Sequence, residues 1–166
     1  MNTMSEVDLN YAQSCNCDSQ CPVDLKCGEP GQVVLPGSLV GTTATVATIT
    51  IDTSKFCNPC TKLEFTSNLI GVGFSGTLIF QLFKFCDNQQ PLPIGGPFSY
   101  TVATPSLVSR KFTFFLCDCD SCLNECCTYS VMVTVGEGDE GAITGNIGVF
   151  AARLSSVTVD NPKQNC

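Results

Sequence analysis

The sequence predicts an all-β fold: an antiparallel jelly roll or β-sandwich of about eight strands behind a flexible, Cys-rich N-terminal arm. Three observations point there. Beyond Gln32 the chain breaks into short runs rich in Val, Ile, Thr and Phe, separated by clusters of Gly, Pro and Asn. Within the runs, apolar and polar residues alternate with the period of a strand. No window sustains a helical period with caps, and the run at 42–52 is so dense in β-branched residues that a helix there is disfavoured.

Taken in order, residues 1–30 are polar, poor in large apolar side chains, and carry Cys15, Cys17, Cys21 and Cys27. They read as an extended or disordered connector arm, distinct from a domain at 31–166. The strand candidates are 32–36, 42–52, 61–69, 76–86, 98–103, 107–117, 127–135 and 143–152, with a short ninth at 156–159. In 61–69 the alternation sets Leu63, Phe65 and Leu69 toward a core and Lys62, Glu64 and Thr66 away from it. In 107–117 it opposes Phe112, Phe114 and Leu116 to Lys111 and Thr113, and in 127–135 it opposes Tyr129, Val131, Val133 and Val135 to Thr128, Ser130 and Thr134. The Gly-rich stretches at 71–76 and 95–96 open no helix, so they read as turns and not as phosphate cradles. Asp139 and Glu140 in GEGDEGA lack the further oxygen ligands that calcium requires, and read as a solvated hairpin turn.

Composition narrows the function. A chain of 166 residues suits one domain and can bury a core without staples, yet it holds 13 Cys. Histidine and tryptophan are absent, which removes the commonest general base and the commonest nitrogen ligand for metals. The expectation is therefore no enzyme, no catalytic residue and no cofactor. Net charge is −7 with only 8 Lys and Arg, scattered along the chain, which argues against nucleic acid as a partner. No stretch has the length of a membrane span, and the first 30 residues lack the basic and apolar regions of a secretory signal. A soluble chain without a visible export route is expected.

The cysteines admit three readings. Cys117, Cys119, Cys122, Cys126 and Cys127 crowd the segment CDCDSCLNECC, and CNPC at 57–60 adds a further pair. Thiolates this dense can bind zinc or iron–sulfur clusters, but the gaps are irregular and no histidine is available. CNPC has the bare C-x-x-C of a redox motif, which needs a helix after it to stabilise the thiolate. Here KLEF continues as a strand. Disulfide cross-linking is the third reading. Parity places Cys117 and Cys119 outward with Lys111 and Thr113, open to other chains, whereas Cys86 and Cys127 share core parity and could bridge internally. Because 13 is odd, at least one thiol has no partner within its own chain. Cys15, Cys17, Cys21 and Cys27, with Cys117 and Cys119, are thus the inter-subunit candidates. Cys57, Cys60, Cys86, Cys122, Cys126 and Cys127 are the intra-chain candidates, and no metal ligand is assigned.

Three segments, CDCDSC running into CCTYSVMVTV, CNPCTKLEF, and CGEPGQVVLPG before the Thr-rich strand, resemble an uncharacterised cysteine-rich family of anaerobic spore-forming bacteria. The plan of a Cys-bearing arm followed by a jelly roll is similar to that of the endospore appendage (spore pilus) subunits. That resemblance implies a fibre in which each arm forms disulfides with subunits below, with Cys15 and Cys17 as connector thiols and an acceptor near Cys27, while neighbouring sheets associate side by side. It implies a homopolymer at the spore surface, made in a mother cell, with a spore-coat or exosporium protein as anchor. The greater number of cysteines and the longer arm depart from that pattern. The competing expectations are a thiol-rich metal-binding protein and a monomeric carbohydrate-binding β-sandwich.

Overall fold

The computed structural model describes residues 22–36, 40–86, 90–120, 126–136 and 144–160. Among them are seven strands: β1 (Val23–Cys27), β2 (Gly31–Pro36), β3 (Thr43–Asp52), β4 (Pro59–Phe85), β5 (Leu92–Asp118), β6 (Cys126–Gly136) and β7 (Thr144–Asp160). All pair antiparallel. The architecture is the expected all-β, jelly-roll-type sandwich, and two 27-residue strands organise it.

The first half of β4 lies between β7 and the second half of β5. Its second half lies between β6 and the first half of β5. One sheet therefore reads β1 and β2, then β7, β4, β5, and the other reads β3, β6, β4, β5. The change of sheet occurs where the β4 register shifts between Gly71 and Gly76, and Gly73 there adopts a positive φ of 62°. Gly145 on β7 also has a positive φ, 72°, and any Cβ on it would strike the Gly73 backbone. A glycine is needed at this crossing both for its conformation and for the close approach.

The bend folds each long strand back on itself. Phe98 stacks on Phe114 across the two halves of β5 with centroids 4.1 Å apart, and Phe65 meets Phe80 across the halves of β4 at 5.7 Å. Around these rings the core collects Leu63, Leu69, Tyr129, Val131, Val133 and Val135, all buried on the expected parity. The outer faces are lined with hydroxyls in cross-strand pairs, such as Thr43 with Thr134 at 3.0 Å, Thr50 with Thr128 at 2.9 Å and Thr77 with Thr101 at 2.9 Å. Such pairs stabilise a sheet face that carries few charges.

Three expectations are corrected. Strands begin at Val23, inside the span assigned to the arm, because β1 pairs along the edge of β7. Its alternation was hidden by its orientation, with Val23 and Leu25 facing outward. The candidates at 61–69 and 76–86 are one strand, as are 98–103 with 107–117 and 143–152 with 156–159. The glycines at 71–76 and 95–96 bend strands and do not end them. The region of Asp139 and Glu140 lies outside the described residues.

Candidate cross-linking site

The β4–β5 register sets Thr61 opposite Asp118, so the next residues outward, Cys60 and Cys119, fall opposite each other. They form a disulfide that closes a sequence separation of 59 residues. The bond corrects the grouping of Cys119 with the inter-subunit candidates. It faces away from the core as parity requires, yet its partner is the neighbouring strand. The CNPC turn ahead of β4 is fixed by Asp160, whose Oδ1 accepts the N–H groups of Cys57 at 2.7 Å and Asn58 at 2.9 Å. Cys60 enters β4 directly, so no helix follows the motif.

Cys57 and Cys86 each take part in a disulfide as well. The Sγ atoms of Cys86 and Cys127 lie 3.7 Å apart in the buried interior, so the two cysteines with shared core parity are neighbours. Three further cysteines carry exposed thiols: Cys27 at the end of β1, Cys117 on β5 and Cys126 at the start of β6. Cys126, grouped above with the intra-chain candidates, stands opposite Asp52 of β3. Hydrogen bonds from the Ser54 hydroxyl and N–H hold the Asp52 carboxyl below its usual range. Cys15, Cys17, Cys21 and Cys122 lie outside the described residues. Among the described residues no cluster of three or more Cys, Asp and Glu is placed to hold a metal ion.

Beneath this Cys-rich end runs a polar network that the sequence reading did not identify. Lys84 of β4 and Asp118 of β5 form an ion pair of 2.8 Å with side chains only 6% and 7% exposed. The Tyr129 hydroxyl donates to the same carboxylate oxygen at 2.8 Å, and Lys84 Nζ also donates to the Asp120 carbonyl at 2.8 Å. Asp118 Oδ1 accepts the Asp120 N–H at 3.2 Å. Since Lys84 and Tyr129 belong to one sheet and Asp118 to the other, the pair ties the sandwich shut at the end bearing the cysteines. The signal was present in the sequence. Lys84 continues the core parity of Phe80 and Leu82, and Asp118 continues that of Phe114 and Leu116, so two opposite charges were due at one end of the core.

The family described as Domain of unknown function (DUF4489) matches residues 21–159. No curated protein matches the chain. Solved structures with a likeness include infectious bursal disease virus Gx strain, with TM-score 0.47 and 13% identity over 97% of this chain and 37% of that one. The infectious bursal disease virus VP2 subviral particle gives TM-score 0.40 and 14% identity over 98% and 39%. The enzymatically active domain of bacteriophage CBA120 tailspike protein 4 gives 0.33 and 16% over 80% and 19%. The chain thus spans about two-fifths of the viral chains, and at these identities the likeness concerns the fold alone.

Proposed function

We propose that this chain, which belongs to the DUF4489 family, is a structural subunit that self-assembles into a disulfide-cross-linked extracellular fibre or spore surface layer. The residues preceding β1 act as the connector to neighbouring subunits, and the chain has no catalytic activity. The observation that carries the reading is the partition of cysteines. The Cys60–Cys119 bond secures the domain internally, while Cys27, Cys117 and Cys126 hold exposed thiols where other chains can reach them. Exposed cysteines are a liability in a monomer and an asset in a covalent polymer. Each bridge constrains the unfolded chain by typically about 2–4 kcal/mol, and bridges between subunits also remove dissociation as a route to loss of structure. The sheet edges support association as well. Among the described strands β5 pairs only with β4 and β3 only with β6, leaving rows of backbone donors and acceptors open.

Non-reducing electrophoresis of oxidised full-length protein, with electron microscopy of the same sample, tests the proposal. Species too large to enter the gel, collapsing to monomer on strong reduction, and filaments or sheets in the images are expected. A clean monomer band without reductant refutes it. Because β1 begins at Val23, the connector is tested by deleting residues 1–21 and not the first 30. The shortened chain stays folded and loses its covalent polymers; equally reductant-sensitive polymers would refute the connector role. Stoichiometric zinc or iron in the oxidised protein would favour the metal-binding alternative.

A further inference from the structure

The outward face of the β1–β7–β4–β5 sheet carries an apolar patch beside the Cys60–Cys119 bond. The pairing register fixes it as rows. One row runs Leu25, Val157, Lys62, Cys117 across the four strands, and the next runs Cys27, Ser155, Glu64, Phe115. Leu25 is 71% exposed and Phe115 64%, and the flanking row adds Val23 and Val159. Exposed apolar side chains thus flank the Lys62–Glu64 pair on both sides, Leu25 and Val157 on one and Phe115 on the other, and such area on a sheet face marks a surface that is covered in the working protein. Charge identifies what covers it. The chain as a whole carries −7, but the only charges in these two rows are Lys62 and Glu64, which lie 3.8 Å apart and cancel. A second copy of the same acidic chain can therefore approach this face without the repulsion it meets from the molecule as a whole.

We propose that this face packs against the same face of a second copy, about a two-fold axis that runs across the strands between the two rows. A self-complementary contact of this type sets residue i against j and j against i. Lys62 then faces Glu64 of the partner subunit and Glu64 faces the partner's Lys62, with Val157 over the partner's Ser155 and Phe115 over the partner's Cys117. An axis along the strands would instead set Lys62 against the partner's Val157 and cover the Lys62–Glu64 pair with no counter-charge across the contact, which is less favourable. The contact closes at two subunits, so it pairs subunits laterally, with Cys27 and Cys117 at its rim on the outer strands β1 and β5, and leaves the arm, Cys126 and the free edge of β5 for growth. The inference rests on the assembly reading and specifies one surface used in it.

Charge reversal on the full chain tests it, read by sedimentation velocity in reductant, with circular dichroism to verify folding. If reductant unfolds the chain, native mass spectrometry of oxidised protein makes the same comparison. Wild-type protein forms a concentration-dependent dimer. Lys62→Glu and Glu64→Lys each weaken it by about tenfold or more, since each sets like charges together twice. An equimolar mixture of the two variants restores dimerisation, as does the double variant, because both recreate opposite pairs. Single variants that dimerise like wild type, or a mixture that stays monomeric, overturn the inference. A wild-type monomer at all concentrations also overturns it; disulfide-linked polymers on non-reducing gels would then still uphold the assembly reading, and their absence would remove both.

Discussion

Replacing Lys84 by Met tests the closure of the sandwich most directly. At 2.8 Å and an effective dielectric of about 20, the attraction between Lys84 and Asp118 is about 6 kcal/mol, against a desolvation penalty of several kcal/mol for each ion. The intact pair is thus close to balanced, whereas half of it is not. Lys84→Met leaves a carboxylate 7% exposed with hydrogen bonds from Tyr129 and Asp120 but without the Lys84 charge, a loss expected to be about 3–5 kcal/mol. Asp118→Leu strands the ammonium against the Asp120 carbonyl at similar cost. The double variant replaces both charges with apolar volume and should lie within about 2 kcal/mol of wild type, so the coupling is at least about 4 kcal/mol, above the range of about 0.5–3 kcal/mol usual for neighbouring residues. Urea unfolding of the oxidised protein followed by far-ultraviolet circular dichroism measures each term, since the chain has no Trp to report by fluorescence. The loss should persist when salt is raised from about 0.05 to 0.5 M, because a buried pair is poorly screened. Additive single variants, or a cost below about 1 kcal/mol for Lys84→Met, would refute the reasoning.

Other substitutions probe the bends, the core and the internal bond. Gly145→Ala should destabilise by about 2 kcal/mol or more, from its positive φ and the collision with the Gly73 backbone; thermal unfolding reads the shift. Ala151, held at φ 48° where the β2–β7 and β4–β7 registers shift, should gain about 1 kcal/mol on replacement by Gly in the same assay. Ser67 and Ser156 bury hydroxyls without a hydrogen-bond partner among the described residues, so Ser156→Ala should be neutral or stabilising by about 1 kcal/mol in urea. The paired change Cys60→Ser with Cys119→Ser should cost up to about 4 kcal/mol from the 59-residue separation it opens, less where other disulfides subdivide the loop; comparing urea midpoints of oxidised samples measures it.

Fold class and core parity were legible in the sequence because they depend on a local period. Leu63, Phe65, Phe114 and the Tyr129–Val135 set are buried where alternation placed them. Strand length was not legible, because Gly73 and the neighbouring shifts bend β4 without ending its pairing, and a bend and a turn use the same residue. β1 was missed for a related reason. Its backbone joins the sheet while its apolar side chains face out, so the arm's polar character masked its pairing.

The cysteines show how parity and register answer different questions. Parity tells which face a thiol takes, and it set Cys117 and Cys119 together on the outside. Register tells what stands across from it: Cys119 meets Cys60, whereas Cys117, two residues back, meets Lys62, and so only one of two equivalent positions becomes an internal staple. Register between distant strands depends on bends that a single strand's sequence does not encode, so pairing was beyond reach while orientation was not. Cys117 and Cys27 thereby remain as thiols on the same outward face as the self-complementary Lys62–Glu64 pair. Cys119→Ser removes the staple's thiol and leaves Cys117 on the same outward face, opposite Lys62 rather than Cys60. Such a chain should lose its Cys60 bridge and expose Cys60 in its place, which peptide mapping under non-reducing conditions detects as a new reactive thiol at position 60. Retention of a bridge to Cys60 in that variant would show that strand register, and not residue position, adjusts to form it.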